Sequence, residues 1–286
     1  MNILVTGVNG QLGYDVCRIL SARGINHRGV DLADFDITDR AAVEAYLADS
    51  RPDAVIHCSA YTAVDLAEDE AARCFAVNAD GTLYLARAAA ALGAKFLYVS
   101  TDYVFSGEGN AFYEPADPPG PLSVYGRSKQ LGEEHVQNTL NEHFIVRTSW
   151  VFGVNGKNFV KTMLRLAETK EEISVVCDQI GSPTYTYDLA RLLCDMIVTD
   201  RYGTYHATNE GVCSWAEFAA EIMRQSRKET WIRPIPTSQY PTRATRPRNS
   251  RLSKDKLTEN GFSRLPDWKD ALARFLKENE AASLNT

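Results

Sequence analysis

Short apolar runs alternate, through the first half of this chain, with longer stretches whose apolar positions recur every three to four residues. The first run covers residues 2–6 and ends at Gly7, and residues 12–20 continue with helical spacing. Residues 28–31 read as a second strand closed by Asp31. Asp39 is placed to cap a helix running to about residue 48, and Pro52 leads into a third strand at 54–58. Residues 69–92 are alanine-rich and predict one long helix docked on the sheet. Residues 95–100 and 144–147 read as fourth and fifth strands. Between them a helix starts near Val124 and contains Glu133.

Strand and helix therefore alternate at least four times, with crossovers long enough for right-handed βαβ units. That pattern predicts an α/β fold built on a parallel, doubly wound sheet. Beyond Trp150 the rhythm loosens. Helices are expected over 158–168, 187–198, 214–225 and 268–280, and a strand over 173–176, while prolines cluster at 234, 236, 241 and 247. We read residues 1–150 as a dinucleotide-binding domain and 151–286 as a smaller substrate-binding lobe, with some chain crossing back to the sheet. Residues 281–286 are expected to fray.

Composition narrows the function classes. The 286 residues suffice for a full core, and 44% hydrophobic with 24% charged residues is ordinary for a soluble globular protein. A net charge of −6 gives no support to nucleic-acid binding. No apolar run reaches membrane-spanning length, and a first strand starting at residue 2 leaves no room for a signal peptide. A cytoplasmic location with no membrane partner is expected. The six cysteines (Cys17, Cys58, Cys74, Cys177, Cys194 and Cys213) show no CxxC spacing and read as free thiols, and the histidines form no metal-ligand pattern.

The candidate chemistry lies in three places. Gly7, Gly10 and Gly13 fall between the first strand and first helix, with Gln11 and Leu12 inside the same turn. Such a turn admits a diphosphate against backbone N–H groups at a helix N-terminus. Asp31 follows at the end of the second strand, where a carboxylate accepts hydrogen bonds from ribose hydroxyls and disfavours a 2′-phosphate; the bland alternative is a solvated loop acid. Arg28 lies near enough in sequence to soften that preference. Asp36 and Ile37 are placed to border an adenine, and Ala60, Tyr61 and Thr62 the cofactor's middle, with Val99 near the fourth strand's end. Further on, Tyr125 and Lys129 are four residues apart on one helix face, so an ammonium lies near a phenol. That neighbour is expected to lower the phenol toward the working pH range. Thr101, just past the fourth strand, is placed to hydrogen-bond a substrate oxygen. Together these residues argue for hydride transfer between NADPH or NADH and an oxygen-bearing carbon.

These residues resemble the extended short-chain dehydrogenase/reductases acting on nucleotide sugars, and more narrowly the dTDP-4-dehydrorhamnose reductase family. The resemblance spans nearly the whole chain. It rests on 7–13, 100–105, 125–129 with Gly132 and Glu133, and then 147–151, 158–159 and 178–184. It implies a Rossmann domain with a small C-terminal substrate lobe, and reduction of the C4 keto group of dTDP-4-dehydro-β-L-rhamnose. It further implies Tyr125 as proton donor, Lys129 on the nicotinamide ribose, Thr101 on the carbonyl, and Asp102 and Trp150 against the sugar. Without the family, Trp150 reads equally well as a packing residue.

Three further readings follow. The basic stretch 243–251 offers arginine forks to a diphosphate, or is a solvated loop. Some members of the family are thought to dimerise around magnesium. Asp15 stands at one of the implied positions, but Tyr187 occupies the other, so no metal is expected, and a monomer or weak homodimer is. The rivals are an epimerase or dehydratase that retains its NAD, and a non-catalytic partner resembling the regulatory subunit of methionine adenosyltransferase. Tyr103 after Asp102 speaks against elimination chemistry, and the set Thr101, Tyr125 and Lys129 favours catalysis.

Overall fold

A computed structural model describes residues 1–283. The half with alternating patterns forms β1 (Ile3–Thr6), α1 (Gln11–Ala22), β2 (His27–Val30), α2 (Arg40–Ser50), β3 (Ala54–His57), α3 (Gly81–Leu92), β4 (Lys95–Thr101), α4 (Val124–Thr139) and β5 (His143–Thr148). In the second half follow α5 (Phe159–Leu166), α6 (Thr186–Ile197), β6 (Gly203–His206), α7 (Trp215–Gln225) and α8 (Trp268–Ser283). The six strands make one sheet, in the order β6-β5-β4-β3-β1-β2, with every pairing parallel. No helix among the described residues is long and apolar enough to cross a membrane.

The two-residue side-chain period of the strands divides the core between the sheet's faces. Ile3, Val5, Ile56, Leu97 and Val146 pack under α1 and α6. Leu4, Val55, Phe96, Tyr98 and Ile145 face α2, α3 and α4. Each such aliphatic side chain, fully removed from water, stabilises the fold by about 1.5–3 kcal/mol. A further core gathers Phe152, Val160, Ile173, Phe218, Ile232, Trp268 and Phe275 from the short strand Val151–Phe152, α5, α7, α8 and the strand pair Glu172–Val176 with Trp231–Ile235.

Local signals fix the helix ends. The Asp39 carboxylate accepts from the N–H groups of Ala41 and Ala42 at 2.9 and 3.2 Å. Ser123 caps α4 through the Gly126 N–H at 3.1 Å. Ser214 and Glu217 form a reciprocal capping box at α7.

The structure corrects several expectations. The long helix over 69–92 is broken into Ala71–Phe75, a wider turn at Ala76–Asp80, and α3. At that turn the Asn78 side chain points inward, and Gly81 packs so closely on Ile37 that a Cβ would sit 2.9 Å from Cγ1. β6 was not foreseen; it joins the sheet by pairing in parallel with β5. Residues 281–283 continue α8 instead of fraying, and the rest of that expectation lies outside the described residues.

Candidate active site

The carboxyl ends of the strands open onto a cavity of about 680 Å³. Ligands bind there in doubly wound sheets, because crossovers diverge to opposite faces and leave a crevice. The chain leaves β1 into Gly7, which adopts φ 73°. A Cβ on Gly7 would lie 2.7 Å from the Ser59 nitrogen, and one on Gly13 would collide with the Gly7 carbonyl. Bare backbone is thus required where α1 begins. No side chain caps that helix, so its first N–H groups face the cavity. The donor set and the close approach fit a dinucleotide diphosphate.

Of the positions expected to meet a cofactor, Gly7, Gly10, Gln11, Leu12, Gly13, Asp31, Asp36, Ile37, Ala60, Thr62, Val99, Tyr125 and Lys129 all line this cavity. Tyr61 does not. Its N–H donates to Asn78 Oδ1 at 2.8 Å and its hydroxyl to Glu70 at 3.0 Å, which turns the ring away. The Asp31 carboxylate accepts from the N–H groups of Asn9 (2.9 Å) and Leu32 (2.8 Å). The Arg28 guanidinium lies over the Tyr46 ring, 5.2 Å from the centroid.

Thr101, Asp102, Tyr125, Lys129 and Trp150 meet at the inner end of the cavity. Tyr125 and Thr101 share a side-chain hydrogen bond, and Thr101 Oγ1 donates to Asp102 at 3.1 Å. Ser250, reaching in from the lobe, donates to the other Asp102 oxygen at 2.5 Å. Burial raises Asp102 to about 6 against the pull of these two hydroxyls. Lys129 is buried beneath. Its ammonium donates to the Val99 carbonyl at 2.8 Å and lies 4.0 Å from the centre of the Tyr98 ring.

Here the sequence expectation of an acidified phenol fails. Burial holds Tyr125 above its usual range, with the Thr101 hydrogen bond pulling the other way. Burial also draws Lys129 down to about 7, so the lysine is a weakened cation. Desolvation outweighs the i, i+4 proximity that the sequence showed. The phenol is held in its proton-bearing form, the state a proton donor requires.

A buried ion pair fixes the helix that carries these two residues. Glu133, one turn beyond Lys129, receives Arg147 Nε and Nη2 at 2.9 and 2.7 Å and Ser100 Oγ at 2.5 Å. Ser100 and Arg147 are register partners on β4 and β5, so both strands grip α4 at one carboxylate. Trp150 lies just past the end of β5. It adopts φ 51°, unusual for a bulky residue, and its indole stacks on Trp215 with centroids 3.8 Å apart. A second, aromatic-lined cavity of about 270 Å³ lies beyond, among Phe159, Met163, Gln179, Trp215, Tyr240 and Arg246.

Comparison with known proteins gives the family. The family described as RmlD substrate binding domain matches residues 1–281. The chain belongs to that family. The spore coat polysaccharide biosynthesis protein SpsK of Bacillus subtilis is 42% identical over 280 residues, covering 98% of each chain. The dTDP-4-dehydrorhamnose reductase of Escherichia coli is 38% identical, over 97% of this chain and 98% of the relative. A crystal structure of dTDP-4-dehydrorhamnose reductase from Bacillus anthracis in complex with NADP superposes with a TM-score of 0.95 at 42% identity, covering 97% of this chain and 99% of that one.

Within this RmlD-family chain, sequence reading missed several supporting residues. Asn78 holds the loop after β3 and also donates to Ser128 on α4 at 2.9 Å, joining the two sides of the site. Its only signal was a polar residue on the inner face of an alanine-rich helix. Ser250 sat unremarked inside the basic stretch. Of the arginines there, Arg246 bonds Asp65 (2.6 Å) and the Tyr103 hydroxyl (3.1 Å), while Arg243 pairs with Asp69. Asp15 is buried, holding Arg18 at 2.8 Å and Thr186 at 2.5 Å, and Arg18 continues to Glu278 at 2.6 Å.

Proposed function

We propose that this protein is an NAD(P)H-dependent reductase that converts the C4 keto group of dTDP-4-dehydro-β-L-rhamnose to the alcohol of dTDP-L-rhamnose. The observation carrying this reading is the convergence of Thr101, Tyr125 and Lys129 at the inner end of the cavity that begins on the glycine turn. Relatives named for this reaction, one of them a structure in complex with NADP, support it. The bound dinucleotide supplies the hydride. Tyr125 gives its proton to the oxygen that becomes negative, and the Thr101 hydroxyl holds that oxygen in line. Lys129 would donate to the nicotinamide ribose when the dinucleotide is bound. The Trp150–Trp215 stack leads from the reacting end to the second cavity, whose aromatic walls suit a nucleobase. Arg246, at its rim, suits a diphosphate once it releases Asp65.

Absorbance of the reduced nicotinamide, followed after addition of the 4-keto sugar nucleotide, tests the reading. Wild-type protein is expected to consume cofactor stoichiometrically. Tyr125→Phe is expected to lose about 10²–10⁴-fold in turnover while still binding NADPH. Undiminished turnover in that variant rejects Tyr125 as donor, and absence of consumption by wild type rejects the reaction.

A further inference from the structure

We propose that Lys157, delivered by a lobe segment that straps across the glycine turn, is a ligand of the cofactor diphosphate. The proposal rests on the dinucleotide reading of the main cavity and extends it to a residue outside the sheet domain.

The segment 153–158 is held to the turn from both sides. Asn155 Nδ2 donates to the carbonyls of Asn9 (2.8 Å) and Gly10 (3.2 Å). Asn158 Nδ2 donates to Gln11 Oε1 at 3.0 Å and to the Gly153 carbonyl at 2.8 Å. From α5, Lys161 Nζ donates to the Val154 and Gly156 carbonyls at 2.5 and 3.2 Å. Gly156 takes φ 72°, which turns the chain so that it passes over Gln11. Apart from the Lys161 ammonium, which comes from α5, these bonds use backbone and amide groups. They fix the strap but leave the one charged side chain at its tip out of the scaffold.

That side chain is Lys157. It lines the main cavity together with Gly156 and with Asn9, Gly10 and Gln11. Among the described residues, Lys129 and Lys157 are the two cationic residues lining this cavity, against the acids Asp31, Asp36 and Asp102. Lys129 is committed to Val99 at the far, inner end. A diphosphate seated on the N-terminus of α1 brings two negative charges to the Gly10–Gln11 end, where helix N–H groups meet them from one side. Lys157 meets them from the other. The strap therefore closes the diphosphate site with a positive charge, and ties lobe position to cofactor binding.

Cofactor binding is measured without turnover, by the fluorescence of NADPH and of NADH titrated into wild type, Lys157→Ala and Lys157→Arg. Binding of dTDP is measured calorimetrically on the same proteins. Loss of Lys157 is expected to weaken both dinucleotides about two- to fivefold, by the same factor, to leave dTDP affinity unchanged, and to flatten the salt dependence of cofactor binding. Arginine is expected to restore most of the affinity. In an Asn155→Ala background, where the strap is loosened, the Lys157→Ala effect is expected to shrink. The proposal is overturned if NADPH alone weakens, since the charge then serves a 2′-phosphate. It is equally overturned if dTDP alone weakens, if neither dinucleotide responds, or if the Asn155 change leaves the Lys157 effect whole. Failure of the reductase assay with intact, Lys157-dependent cofactor binding would reject the proposed reaction and leave this assignment standing.

Discussion

Replacing Lys129 by methionine should stabilise the cofactor-free protein at pH 7 and destabilise it at pH 10. The side chain is 2% exposed. The Val99 carbonyl, the Tyr98 ring and the attraction of Glu133 do not repay the loss of water, and burial brings the group from 10.5 to about 7. Between those values the folded state binds fewer protons than the unfolded chain, so wild-type stability rises with pH across the window. The penalty is greatest at and below pH 7. With about 1.4 kcal/mol per pH unit, it amounts to about 4 kcal/mol at pH 7 and about 1 kcal/mol at pH 10. Methionine removes the penalty but strips the Val99 carbonyl of its donor, at a cost of about 1–3 kcal/mol. The net result is a gain of about 1–3 kcal/mol at pH 7 and a loss at pH 10. For a chain of 286 residues, whose unfolding entropy is about 0.6 kcal/mol/K, the gain appears as a Tm about 2–5 °C higher. Thermal unfolding by circular dichroism at both pH values measures this, with NADPH oxidation showing that turnover is lost. A variant less stable than wild type at both pH values would refute the picture of a desolvated lysine held for function against stability.

Two more predictions concern the scaffold around the site. Arg147→Met leaves Glu133, 4% exposed, without its guanidinium. Urea unfolding should show a loss of about 3–5 kcal/mol, part of it recovered when Glu133→Gln is added; equal stability of single and double variants would count against the ion pair. Asp102 is raised by burial to about 6, so its contribution is intact below the unfolded pKa near 4 and is lost as pH rises through 6. Asp102→Asn should therefore gain on wild type by up to about 3 kcal/mol between pH 4 and 7, and a pH-independent difference would contradict the assignment.

Much of the fold was legible in the chain. Period-two strands and period-3.6 helices follow from backbone geometry alone, so the alternation in residues 1–150 gave five strands of the parallel sheet, and Asp39 announced a helix start by its own chemistry. The glycine turn was legible because Gly13 answers to a local contact with the Gly7 carbonyl and Gly7 to a left-handed backbone, although Gly7 also packs on the distant Ser59. Asp31, Thr101 and Tyr125 were legible because strand and helix ends place them. What escaped depended on packing between segments far apart in sequence. The wider turn at Ala76–Asp80 exists to bring Asn78 under Tyr61 and Ser128, and nothing within the helix itself demands it. The protonation of Tyr125 and Lys129 was misjudged for the same reason. Spacing reveals that two groups are neighbours, but the energy of a charge is set by how much water the whole fold removes. Ser250 reaches Asp102, and Lys157 the cavity, only because segments far along the chain dock there, 148 residues separating Ser250 from Asp102.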